Sequence, residues 1–251
     1  MGAISWNEYK DRIKRYCWFN KTETRDFILI VLFFAFVLSF DKWGIGKFDA
    51  ADGIKNFSIS LIIVFLSVFL HHIVQRLGAI YCGYKPEQKI WWFGILISVL
   101  FLIFSNGRIP VFAGSFLMIH MLTGQRIGKH RYGPSLRTFG YIAMLGPLAN
   151  LLFAGVLKMI NSGIGSPFLD LMIGFNLLYA IYNAIPFPPL DGSRMIFSSR
   201  LAYFFFAGLM LGFILLIYVL GLSLLVSLII AFLLGVICWI VFFLMFERHW
   251  T

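Results

Sequence analysis

Two polar clusters interrupt apolar sequence and contain the residues best suited to chemistry. The first is His71-His72-Ile-Val-Gln75, at the end of an apolar run that begins near Phe57. The second lies far downstream, where Asn183 is followed by three prolines and then by Asp191. Polar groups are costly inside a membrane, so imidazole, amide and carboxylate groups in such surroundings indicate a site. We expect the two clusters to meet in space.

The spacing of the first cluster partly matches a zinc-binding helix. In the motif His-Glu-x-x-His, two histidines four residues apart bind zinc, and the glutamate is the general base. Here His71 stands at the first histidine, His72 replaces the glutamate and Gln75 replaces the second histidine. An amide oxygen is a poorer zinc ligand than an imidazole nitrogen. Without the glutamate, only a neutral His72 remains to accept a proton from water.

Composition identifies the class of protein. Of the 251 residues, 60% are hydrophobic and 13% are charged, whereas a soluble domain averages about 45–50% apolar and about 25% charged residues. The net charge of +10 lies in segments between apolar runs, which is typical of membrane topology and does not favour nucleic acid as a partner. The sequence therefore predicts an all-α polytopic membrane protein surrounded by membrane lipids.

The chain divides into a basic leader, residues 1–26, and a single transmembrane domain, residues 27–251. Apolar residues recur in the leader at helical spacing: Trp6, Tyr9, Ile13 and Tyr16. This predicts an amphipathic helix in the membrane interface, the alternative being a solvated basic segment. The apolar runs that follow are 27–40, 57–75, 91–105, 109–122, 138–160, 168–185, 201–220 and 222–246.

These runs predict about six to eight spans, because a full span needs about 20 residues. Runs 91–105 and 109–122 are shorter, so they form either a tight helical pair or re-entrant segments buried in protein. The distribution of basic residues favours a cytoplasmic N-terminus and C-terminus in the cell membrane. The predicted cytoplasmic loops carry Arg76, Lys85, Lys89, Arg126, Lys129, Arg131, Arg137, Arg194, Arg200 and Arg248.

Several motifs downstream of the first cluster share a pattern with a known family. Gly146-Pro147-Leu-Ala-Asn150 lies inside an apolar run, and Asn183-x-x-Pro-x-Pro-Pro-Leu-Asp191-Gly follows another. Together with the segments 82–94 and 109–114, they resemble the site-2 protease family of intramembrane zinc metalloproteases, especially its compact archaeal-type members. The resemblance runs from about residue 61 to residue 192, and its most specific part is the motif at 183–192.

The resemblance implies a site-2 protease-like helix bundle with its core at about 57–192. It also implies a small membrane-associated β element between residues 84 and 135. The family's metal-ligand positions are held by His71, Gln75 and Asp191. Its general-base position is held by His72, and its site-lining asparagines by Asn150 and Asn183. Because His72 and Gln75 depart from the pattern, we expect zinc binding to be weak or lost.

The same residues also have a purely structural interpretation. Side chains such as His72 and Gln75 hydrogen-bond neighbouring helices in many membrane proteins, with contacts worth about 1–2 kcal/mol at most. His71 and Asp191 then form a polar cluster without metal. Asn150, beside a Gly-Pro pair, is then a helix-packing residue.

These observations leave three functions open. The favoured one is a catalytically inactive homologue, a pseudoprotease, that binds a transmembrane segment or another membrane partner. The second is an active intramembrane zinc metalloprotease with non-standard ligands, which would cut membrane-embedded helices. The third is a transporter or lipid-binding membrane protein that uses a polar cavity between helices.

Overall fold

The computed structural model describes residues 4–44, 48–122 and 135–248. They fall into two compact units, Met1–Ser135 and Leu136–Thr251, called here the N-terminal and C-terminal units. The predicted loop cations Arg126, Lys129 and Arg131 lie outside the described residues.

The N-terminal unit combines four helices with one small sheet. In chain order, its elements are α1 (Trp6–Tyr16), α2 (Lys21–Ser39), α3 (Ala50–Tyr81), β1 (Tyr84–Ile90), α4 (Trp92–Phe104) and β2 (Ser115–Met121).

Polar caps set the starts of the first three helices. The hydroxyl of Ser5 accepts a hydrogen bond from the N–H of Glu8 before α1, and the Asp49 carboxylate accepts from two N–H groups at the start of α3. At the start of α2, Glu23 accepts from the N–H of Asn20 at 2.8 Å. Such side chains satisfy backbone donors that have no partner within the helix. The leader forms the predicted helix, as α1, and its place in the membrane interface stays a prediction.

The sheet is an antiparallel hairpin of β1 and β2, with Tyr84 opposite Met121 and Ile90 opposite Ser115. Gly83 makes the turn from α3 into β1 with a φ of 85°, a conformation that glycine adopts without steric cost. The sheet confirms the small β element predicted between residues 84 and 135. The alternative of a helical pair at 91–105 and 109–122 is wrong, because the second run forms β2 and its approach.

The C-terminal unit is entirely helical in its described part. Its helices are α5 (Leu136–Ile164), α6 (Pro167–Ala184), α7 (Asp191–Ser198), α8 (Arg200–Ile214) and α9 (Leu224–Phe242). The last two continue into π-helical turns, Leu215–Val219 and Phe243–Glu247. The proline-rich segment after α6 is not helical, because proline lacks an N–H and restricts the residue before it.

The protein is an all-α membrane protein. Four described helices are long and apolar enough to cross a bilayer: Ala50–Tyr81, Leu136–Ile164, Arg200–Val219 and Leu224–Glu247. Two further helices, α2 and α6, have 19 and 18 residues. Both are long enough to cross a bilayer but less apolar than the other four. Helix α2 begins with charged residues, and α6 contains Asp170, Asn176 and Asn183.

Helices α8 and α9 pack closely because glycines lie between them. A Cβ atom added at Gly235 would lie 2.8 Å from the carbonyl oxygen of Phe205, and one at Gly212 would lie 2.7 Å from Leu234. Small residues let membrane helices approach each other and gain van der Waals contact. These glycines therefore fix the spacing of the helix pair.

We predict that Gly235→Ala lowers the free energy of unfolding by about 1–3 kcal/mol, because the new methyl group overpacks the contact with Phe205. Gly174→Ala is the matched control, since a Cβ atom there meets nothing within 4 Å. Removing a helical glycine should by itself stabilise by about 0.5–1 kcal/mol. Detergent-solubilised protein unfolded in denaturant and followed by circular dichroism would measure both. Equal effects of the two substitutions would contradict the packing argument.

Candidate functional site

Helix α3 carries four buried polar residues in its last three turns. His71, His72, Gln75 and Arg76 are each no more than 2% exposed. Residues four apart share a helix face. His71 and Gln75 therefore lie on one face of α3, and His72 and Arg76 lie on the adjacent one. The first cluster predicted from sequence is therefore a buried polar cluster within the N-terminal unit.

His72, at the general-base position, faces the β hairpin. Its Nε2 lies 3.4 Å from the hydroxyl oxygen of Ser115 on β2. The Phe27 ring meets the imidazole edge to face, with ring centres 5.9 Å apart. The Nδ1 atom has no hydrogen-bond partner among the described residues. The histidine is thus held between an aromatic ring and a hydroxyl group.

Gln75, at the second-ligand position, also contacts the hairpin. Its Oε1 accepts a hydrogen bond from Nε2 of Gln88 on β1 at 3.3 Å. Oxygen is the only atom of a neutral amide side chain that accepts hydrogen bonds or binds a metal, since its nitrogen is a donor. The atom that would face a metal is thus engaged by a neighbouring side chain.

One turn further, Arg76 forms a buried ion pair with Glu23 of α2. The two side chains are 2% and 3% exposed. The guanidinium also donates to the carbonyl oxygen of Trp18 at 3.3 Å and lies 4.4 Å from the centre of the Phe19 ring. Together these contacts surround a charge that would otherwise be costly to bury.

Glu23 also reaches the hairpin, because its Oε1 accepts from the backbone N–H of Gln88 at 3.1 Å. Glu23, Arg76 and Gln88 were not selected from the sequence as site residues. The prediction that Arg76 lies in a cytoplasmic loop is wrong, because the residue is buried within α3 and paired with Glu23. The available signal was an arginine at the end of one apolar run and a glutamate just before another. Ionisable groups at such positions need a partner.

In the C-terminal unit, Asp191 is the first residue of α7 and is buried. Its carboxylate lies 3.6 Å from the guanidinium of Arg194, one turn along the helix. Burial lowers the pKa of Arg194, and the Asp191 carboxylate opposes that effect. Gly192 is required here because a Cβ atom would lie 2.1 Å from the carbonyl oxygen of Ala184. The second motif thus has a packing role at the end of α6.

The two asparagines predicted to line the site take part in contacts between and within helices. Asn150 of α5 donates to the side-chain oxygen of Asn176 on α6 at 2.7 Å. Asn183 donates to the carbonyl oxygen of Tyr179, one turn earlier in α6. Asn176, which the sequence analysis missed, is fully buried. The helix-packing interpretation of Asn150 is supported by this contact.

The set of His71, Gln75 and Asp191 suits zinc poorly, because an amide oxygen is a weak ligand for that metal. Among residues 4–44, 48–122 and 135–248, no group of three or more His, Cys, Asp or Glu side chains is arranged to hold a metal. His71 and Gln75 belong to the N-terminal unit and Asp191 to the C-terminal unit. The meeting of the two clusters therefore stays a prediction.

Comparison with known proteins finds a distant relative. The chain is 25% identical over 183 residues to a Methanocaldococcus jannaschii protein named "Putative zinc metalloprotease MJ0611". The alignment covers 71% of this chain and 85% of that protein. No family model matches the chain, and no solved structure matches it significantly. The chain is thus weakly homologous to a protein described as a metalloprotease.

We predict that Glu23→Gln destabilises the protein by about 3–5 kcal/mol, because it leaves the buried Arg76 guanidinium without its carboxylate. Replacing both partners, as Glu23→Gln with Arg76→Met, should recover part of the loss. The control is Asp11→Asn, which breaks the exposed pair with Arg15 and should cost less than about 1 kcal/mol. Chemical unfolding of the four proteins tests this. Equal losses for Glu23→Gln and Asp11→Asn would contradict it.

Proposed function

We propose that the chain is a membrane-embedded homologue of zinc metalloproteases, of the site-2 protease type, that has lost peptide hydrolysis. In this proposal it binds a transmembrane segment of a partner protein in the cell membrane, with both termini in the cytoplasm. One observation carries the proposal. The side chains at the general-base and second-ligand positions, His72 and Gln75, are engaged by Ser115 and Gln88 of the hairpin.

These contacts oppose hydrolysis. A general base must lie within hydrogen-bond reach of the proton it removes, yet the Nε2 of His72 faces a hydroxyl group of the protein. A metal at Gln75 would have to displace the hydrogen bond from Gln88, and an amide oxygen is a weak replacement for imidazole. A carboxylate that could act as base is absent from the stretch 69–76.

We expect purified wild-type protein to contain zinc only at the background level of His71→Ala and Asp191→Ala. Plasma mass spectrometry on protein purified without chelator would measure the metal. We also expect no specific cleavage of membrane-embedded peptides, because neither a full ligand set nor a carboxylate base is available. Stoichiometric zinc that both substitutions remove, together with cleavage that they abolish, would contradict the loss of hydrolysis.

The hairpin supplies a surface on which a partner segment can bind. The outer edge of β1 is closed at Gln88, whose N–H donates to Glu23. In an antiparallel pair, two residues that lie opposite each other either exchange both backbone hydrogen bonds or exchange none. In the second case, the N–H and C=O groups of both residues point away from the partner strand. Leu117 lies opposite Gln88, so its N–H and C=O point outward on β2.

No described residue forms a backbone ladder with this outer edge of β2, since the sheet has two strands. The edge strand of a sheet can pair with an extended segment, and main-chain hydrogen bonds then provide the affinity. A transmembrane helix must unwind locally before it can add such a strand. The expected partner is therefore a membrane segment that contains helix-breaking residues.

Photo-crosslinking would test this binding mode. A photoreactive phenylalanine analogue at Phe116 on β2 should capture a synthetic transmembrane peptide that contains a central Gly-Pro pair. It should not capture an all-Leu/Ala peptide, which stays helical. The same analogue at Phe104, which is 84% exposed at the end of α4, is the control. Equal capture at both positions, or of both peptides, would count against strand addition.

A further inference from the structure

An apolar groove runs along the outside of the N-terminal unit between α2 and α3. Its volume is about 560 Å³. Thr24 is the only polar residue in its wall. The apolar lining residues are Phe19, Phe27, Ile28, Val31, Leu32, Leu61, Ile62, Phe65, Leu66 and Phe69. Pockets of about 300–1,000 Å³ suit small molecules.

A recess that carries positive charge adjoins this groove. The recess shares Phe19, Thr24 and Ile28 with the groove, and Lys21 and Arg25 also line it. Both cations are exposed. The two spaces are therefore adjacent, with cations beside the recess and apolar side chains along the groove.

The positive charge of the recess is only partly neutralised by the protein. Arg25 donates to the carboxylate of Asp26 through Nε and Nη2, but its side chain remains 68% exposed. Asp26 does not line the recess. Lys21 forms no ion pair with any residue in the described part of the chain. The recess thus keeps net positive charge facing outward.

We propose that this groove and recess bind an anionic phospholipid. One acyl chain lies along the groove between α2 and α3, and the phosphate lies beside Lys21 and Arg25. The position along α2 fits, because charged residues end at Asp26 and an apolar run begins at Phe27. That transition is where the headgroup region of a bilayer meets its hydrocarbon core.

The dimensions and charge favour a lipid over a partner helix. A helix with its side chains is about 10–12 Å across and would need a broad contact surface, whereas the groove has the volume of a small-molecule pocket. Basic residues beside an apolar segment attract anionic headgroups. The lipid site includes no residue of the hairpin, although Phe27 and Phe19 of its wall also contact His72 and Arg76.

Native mass spectrometry with added lipid tests the proposal. Wild-type protein should bind phosphatidylglycerol about tenfold more tightly than phosphatidylcholine, because the two cations attract the anionic headgroup. Lys21→Gln with Arg25→Gln should abolish this preference. The matched control, Lys55→Gln with Arg108→Gln, removes two exposed cations elsewhere in the same unit and should preserve it. Asp26→Asn, which frees Arg25, should increase it.

A second variant tests the groove without changing charge. Ile62→Trp places a large ring in the lining and should weaken binding of both lipids, whereas inorganic phosphate bound at the recess alone would be unaffected. Circular dichroism would verify that each variant is folded. Equal affinity for the two lipids overturns the proposal. So does a preference that survives loss of Lys21 and Arg25, or displacement of the lipid by a transmembrane peptide, which would identify a helix as the occupant.

Discussion

The buried ion pair between Arg76 and Glu23 is the constraint on which the N-terminal unit depends. A guanidinium at the end of an apolar helix must find a carboxylate and further acceptors, or its burial becomes prohibitive. Glu23 meets that need and also accepts from the backbone of Gln88. One carboxylate therefore joins α2, α3 and the hairpin, which fixes where the hairpin lies against α3.

The contacts of His72 and Gln75 follow from that placement. With β1 and β2 held against α3, Ser115 and Gln88 come within hydrogen-bond distance of the two side chains. These are the positions at which a zinc protease would keep a carboxylate base and an imidazole ligand. In this chain, the side chains at these positions connect α3 to the hairpin. The same packing closes the outer edge of β1 at Gln88.

The sequence predicted the membrane class, the positions of most helices, the leader helix and the β element. Apolar runs and helix-breaking residues depend on local sequence alone, so they can be recognised without knowledge of the packing. It also located His71, His72 and Gln75 as buried polar residues. It did not reveal Glu23, Gln88 or Asn176, since their partners are distant in the chain and only packing brings them together. Run 109–122 was ambiguous because a short apolar run suits a helix or a strand equally.

The central claim is that Gln75 serves structure through its contact with Gln88 of the hairpin. A double-mutant cycle tests this most directly, with Gln75→Ala, Gln88→Ala and the double variant unfolded chemically. We predict a coupling free energy of about 0.5–1.5 kcal/mol, the net value of a buried hydrogen bond. Additive effects of the two substitutions would contradict the account, because they would mean that Gln75 and Gln88 do not support each other.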